Sequence, residues 1–261
     1  MLRAIHTAAT GMEAMQNNLD NVANNLANVN TTGYKKSTAE FQDLYYQNIR
    51  DPGTQVTADT NTPTGVQIGT GVKTVSVHKD FSQGSAKQTG NSWDLLVDGE
   101  GFFSVQKENG ELMYTRDGSF KIDGTGRVMT SGGYLLQPAI TVPANAATVT
   151  ISRSGIVTAI DSEGKQSQIG QLELVNFVNA QGLRAAGGNL YQVSESSGAP
   201  VQGTPSNNGL GGIEQGKLES ANVNVVSEMV NMIQAQRAYE MNSKVMQAAD
   251  QMLQVSNNVI K

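Results

Sequence analysis

The chain has 261 residues, a formal net charge of -5, no cysteine and only 16% charged residues. That composition excludes disulfides and thiol chemistry, offers no basic footprint for nucleic acid, and leaves length for one or two domains with a full core. No apolar run approaches the ~18 residues of a membrane span, so membrane insertion is not expected.

The two ends are written differently from the middle. Residues 1–32 hold a single glycine, Gly11, and no proline, and residues 217–261 hold neither. From Ile5 an apolar seam runs through Ala8, Met12, Met15, Leu19, Val22, Leu26 and Val29 at alternating spacings of three and four. That is the stripe of a helix packed on another helix. It predicts a helix of about 28 residues, ~42 Å long, stopped by Asn30-Thr31-Thr32-Gly33 with Gly33 in the left-handed cap position. Arg3 followed by small apolar residues superficially offers a signal peptide, but His6, Thr7, Thr10 and Glu13 interrupt it. The expectation is an end kept in the mature chain. Asn17, Asn21, Asn24 and Asn28 form a second stripe on another face. Asparagine is a poor helix former, so this helix needs partners to form.

Residues 34–77 read as an extended connecting region, with Pro52-Gly53 and a Thr/Gln-rich stretch. Turn pairs then recur, among them Asp98-Gly99, Asn109-Gly110, Asp123-Gly124, Ser154-Gly155 and Glu163-Gly164. Short apolar or alternating runs lie between them: Phe102–Val105, Val128–Thr130, Val149–Ile151 and Leu172–Val175. This is antiparallel hairpin text. The last segment repeats the terminal pattern with Met232, Ala235, Tyr239, Asn242, Met246, Ala249, Leu253, Ser256 and Ile260, capped by Asn224 with Glu228 in its first turn. Val245, Met252 and Val259 add an apolar row beside that seam, wider than one partner helix requires.

The expected fold class is α+β with a mainly β middle: terminal α-helices pair as a coiled coil, and an antiparallel β domain is inserted between them. The segments are 1–33 (N-terminal helix), 34–77 (connecting region), 78–205 (β domain), 206–223 (return linker) and 224–261 (C-terminal helix). No catalytic, cofactor or metal site is expected. Asp98 and Glu100 read as a turn between strands, His6 and His78 lack ligand spacing, Gly69-Thr70-Gly71 reads as a turn, and Arg116-Asp117-Gly118 as a hairpin corner.

Three stretches resemble the axial proteins of the bacterial flagellum, the rod and hook group. They are Ala23–Lys35 at the N-terminal end, Asp98–Phe103 with Tyr114–Phe120 in the middle, and Ser220–Val225 with Met229–Glu240 at the C-terminal end. Gln137–Pro143, Asn189–Tyr191 and Asp43–Arg50 followed by Pro52-Gly53 are similar to the distal-rod branch. His6 and Trp93 depart from the residues usual there. The resemblance implies a structural subunit exported without a cleaved signal through the flagellar export apparatus and polymerising in the periplasm. Its implied partners are copies of itself, other rod proteins and the hook, and surrounding ring proteins. Within that frame the assembly interface is Ile5, Met12, Met15, Leu19, Val22, Leu26, Val29, Met232, Tyr239, Met246, Leu253 and Ile260. The stretch 46–63, with Tyr46, Arg50, Pro52 and Pro63, would stiffen the rod, and the Asn17, Asn21, Asn24 and Asn28 stripe could face a wet channel. The alternatives are a proximal rod or hook subunit of the same group, and a secreted β-domain binding module with an oligomerising stalk.

Overall fold

The computed structural model describes residues 2–53, 55–57, 60–61 and 63–259. The chain divides into two compact units, one made of residues 1–27, 37–78 and 224–261, the other of residues 28–36 and 79–223.

The first unit is built on α1 (Leu2–Ala27) and α2 (Val225–Val259). The helices run antiparallel, since Gly11 lies against Asn242 and Asn25 against Glu228. The seam read from the spacing is the face that pairs. Ala8 and Val22 on α1, with Ala235 and Ala249 on α2, are buried, and Met12, Met15, Leu19, Leu26, Met232, Met246 and Leu253 are half-buried. Small residues at the contact bring the backbones close: a Cβ on Gly11 would lie 2.8 Å from the Asn242 amide nitrogen. Asn224 caps α2 as expected, its Oδ1 accepting from the Ser227 N–H at 3.2 Å.

Much of the region 34–77, expected as an extended connection, is paired into ribbons among the described residues. β1 (Ser37–Asp43) pairs with β6 (Val72–Lys79), β2 (Tyr46–Arg50) with β5 (Val66–Gly69), and β3 (Gln55–Thr57) with β4 (Thr60–Asn61). The three antiparallel pairs nest within one another, outermost first. The β-branched Val72, Thr74, Val75 and Val77 along β6 favour a pleated strand. Its partner lies more than 30 residues upstream, beyond the reach of local pattern.

The β unit holds a seven-stranded antiparallel sheet. From edge to edge its strands are Phe120–Ile122, Val128–Thr130, Leu135–Gln137, Phe103–Gln106, Leu112–Thr115, Leu190–Gln192 and Arg184–Gly187. A three-stranded sheet, Ala146–Ile151, Ile156–Asp161 and Gln166–Gln171, packs its inner face against the same core. Leu95, Phe103, Val105, Leu136, Val157, Leu172 and Leu174 are the centre of that core, with Trp93 at its margin. A second cluster of edge-to-face rings joins Phe81, Phe102, Phe177 and Tyr191, at centroid separations of 5.2 to 6.0 Å.

Two expectations are corrected here. Residues 206–223 are not a plain return linker: Gly212–Gln215 pairs with Leu95–Asp98, and Lys217–Glu219 with Ala86–Gln88. Burial of Ile213 in the core drives the first pairing. The run Leu172–Val175 is not one strand, because the chain leaves the three-stranded sheet at Gln171 and Leu174–Asn176 pairs with Val201–Gly203.

Candidate functional site

Helix α2 carries two apolar faces. At 100° per residue its seam positions occupy an arc of about 120°. On the far side, about 140° from the seam, lie Val226, Val230, Ile233, Met241, Val245, Met252 and Val255, at exposures between 47 and 72%. This rail runs about 44 Å along the helix at 1.5 Å per residue. Arg237 and Lys244 interrupt it, and Arg237 is held by Glu240 at 3.2 Å. A helix whose second apolar face stays exposed in the single chain offers that face to another molecule. Of the row seen in the sequence, Val245 and Met252 belong to this rail, and the side chain of Val259 falls outside the described residues. Val226, Val230, Ile233, Met241 and Val255 were missed because attention to one period-3.5 stripe hides a second.

The predicted assembly residues sort by face. Ile5, Met12, Met15, Leu19, Val22, Leu26, Met232, Met246 and Leu253 lie along the α1–α2 seam, and Tyr239 sits at its margin, 39% exposed. Val29 lies past the end of α1, half-buried in the β unit, and Ile260 falls outside the described residues. Tyr46 and Arg50 begin and end the exposed strand β2; Pro52 and Pro63 lie in exposed turns beside it. Within the asparagine stripe, the Asn17 amide donates to Thr74 Oγ1 at 3.2 Å and Asn21 to the Ser37 carbonyl at 3.0 Å. Asn28 Oδ1 accepts from Thr31, and Asn24 is exposed. The amide that organises this region stands one position off the stripe. Asn25, 1% exposed, donates to the Ser37 carbonyl and accepts from the Ser37 N–H, both at 2.8 Å, which clips β1 to α1.

The β unit contains a buried ionic cluster that the sequence did not announce. Lys35 and Glu219, each 1% exposed, meet at 2.6 Å, and Arg116, 4% exposed, stands 3.8 Å from the other Glu219 oxygen. Lys35 also donates to the Ser82 carbonyl, Gly84 N–H to Glu219 Oε1, and Arg116 Nη2 to the Gly99 carbonyl at 2.7 Å. Burial pushes the Lys35 ammonium down, and the Glu219 carboxylate opposes that shift. Arg116 is therefore no hairpin corner; its guanidinium packs over the Phe102 ring inside the unit. Gly33 completes the joint. Its φ is +66°, its N–H donates to the Glu219 carbonyl at 2.8 Å, and a Cβ there would press on the Asp117 backbone. The cluster thus ties together the starts and ends of three segments far apart in sequence. Asp98 and Glu100 are likewise structural, paired with Arg153 at 2.6 Å and with the Asn176 amide at 3.1 Å.

Residues 5–35 match the family described as flagella basal body rod protein, residues 96–159 the flagellar hook protein FlgE/F/G D1 domain, and residues 214–259 the flagellar basal body rod FlgEFG protein C-terminal. The flagellar basal-body rod protein FlgG of Buchnera aphidicola subsp. Schizaphis graminum is 48% identical over 255 residues, 97% of this chain and 98% of that one. The chain belongs to the flagellar basal-body rod protein FlgG family. The FlgG proteins of Borreliella burgdorferi and Caulobacter vibrioides are each 45% identical, with 99% of both chains covered. A solved structure, the Helicobacter pylori flagellar hook protein FlgE2, aligns with 71% of this chain and 43% of its own at 16% identity; at a TM-score of 0.26 it carries no argument. The two terminal family matches span the α1 seam, the Gly33–Lys35 joint and all of α2. Both the pairing face and the rail of α2 therefore lie inside matched segments.

Proposed function

We propose that this chain is a structural subunit of the flagellar distal rod that polymerises helically into a rigid hollow shaft, carrying torque from motor to hook. Its site is the basal body, on the periplasmic side, reached through the flagellar export apparatus. Other rod proteins and the hook adjoin it axially, and ring proteins surround it. Its work is mechanical and needs no cofactor.

The observation that supports assembly is the α2 rail. Full burial of a Val, Ile or Met side chain is worth ~1.5–3 kcal/mol, so seven such residues are a strong drive to associate. Where a different face of the next copy covers them, the contact is heterologous, and one whose rotation does not close propagates as a helix of subunits. The paired helices would build the inner tube. The polar outer face of α1, with Asn24 exposed on it, is the surface we assign to the bore, while Asn17 and Asn21 bond to β6 and β1 beside it. The exposed β2–β5 ribbon, which carries Tyr46 and Arg50, would brace neighbouring subunits and stiffen the tube.

Electron microscopy of the purified intact chain tests this reading. It should form straight hollow tubes with the α1 polar face on the bore, and deletion of residues 46–63 should give visibly more flexible ones. Unchanged stiffness after the deletion removes the bracing role. Failure of the intact chain to form tubes removes the function.

A further inference from the structure

Nine methionines fall within the described residues, and the fold sorts them. Met113 is buried in the β core, and Met12, Met15, Met232 and Met246 are half-covered along the helix seam. Met129 is half-buried in the β unit. Met229, Met241 and Met252 on α2 are 51%, 66% and 54% exposed, and of these three Met241 and Met252 lie on the rail. Eleven residues apart, they project within about 20° of one another, on either side of Val245 along the rail. Every other described apolar residue of the rail is Val or Ile, which have no comparable redox chemistry.

We infer that Met241 and Met252 form an oxidation-sensitive modification site whose state decides whether a free subunit can join the polymer. This rests on the assembly reading above. The thioether sulfur attacks one oxygen of hydrogen peroxide; the O–O bond breaks and an S–O bond forms. The methionine is oxidised to the sulfoxide and the peroxide is reduced to water. The product is polar where the rail is apolar. A sulfoxide oxygen covered without a donor weakens association by about tenfold or more per site. Covering the rail in the polymer also shields both sulfurs, so the switch acts before incorporation. Sulfoxide reduction restores the apolar side chain.

The test treats the free chain with dilute hydrogen peroxide, maps the added oxygen by peptide mass, and measures assembly by sedimentation. Oxygen should appear at Met241, Met252 and the equally open Met229 before Met113, Met232 and Met246. The critical concentration should rise by about a hundredfold when both are oxidised. The M241L/M252L variant, treated identically, should assemble as the untreated chain does. Unhindered assembly of the doubly oxidised chain overturns the switch while leaving the assembly reading intact. Equal loss of assembly in the treated leucine variant also overturns it. Failure of the untreated chain to assemble defeats the assembly reading, and the switch falls with it.

Discussion

A chain carrying Ile233→Asp and Val245→Asp is expected to stay a folded monomer at concentrations where the natural chain polymerises. Both side chains are about half exposed, 55% and 49%, so the isolated subunit barely registers the change. In a polymer each carboxylate would be covered against apolar surface, at a cost of at least ~2 kcal/mol per site. Two sites together raise the critical concentration by about 1,000-fold. The reading is a sedimentation series across concentration, with far-ultraviolet circular dichroism to show that the helices persist. Polymerisation at the natural concentration would mean that the rail faces solvent in the assembly and some other surface drives it.

Glu219→Ala attacks the other organising feature. It leaves Lys35 and Arg116 buried without their shared anion, and breaking a buried ion pair from one side costs roughly 3–5 kcal/mol. For a chain of this size that is a fall in Tm of about 10 °C for the β unit, read by calorimetry. Glu219→Gln, which keeps the volume, should lose nearly as much, because charge rather than packing is missing. The pH dependence has a definite sign. Removing Glu219 takes away the charge that opposes the burial-induced lowering of Lys35, so the folded pKa sinks further below the ordinary 10.5. A lowered base disfavours folding below its unfolded pKa, so the deficit is present at neutral pH, shrinks as pH rises from the lowered folded pKa toward 10.5, and its Lys35 share is gone above that value. The Arg116 share remains, because arginine keeps its proton. A loss under ~1 kcal/mol for both variants would show that the carbonyls of Val97, Gly99 and Ser82 suffice to hold the cations.

How much of this was legible depended on the range of the interaction. The pairing seam of each terminal helix could be read residue by residue, because helical packing writes itself at spacings of three and four. Asn224 as a cap was equally readable, since it follows from local backbone geometry; Gly33 is left-handed as read, but α1 ends at Ala27, six residues before it, so it does not cap the helix. Val128–Thr130 emerged as a strand with the expected bounds. The nested ribbons did not, because β1 and β6 are joined through register, which composition does not encode. The Lys35–Glu219–Arg116 cluster was also out of reach: three charges separated by up to 184 positions meet only once the β unit has closed. The rail was half seen. Val245 and Met252 stood out, but the rest of the face became visible only once the seam had been subtracted from the exposed surface.

The central claim is that the outer face of α2 is covered by copies of the same chain. Because the protein has no cysteine, a single Val245→Cys substitution reports on that face alone. Its reaction with a small thiol reagent should be fast in the free subunit and at least ~100-fold slower in assembled tubes, as expected when the site is closed to solvent by a few kcal/mol. Equal reactivity in both states would contradict the account.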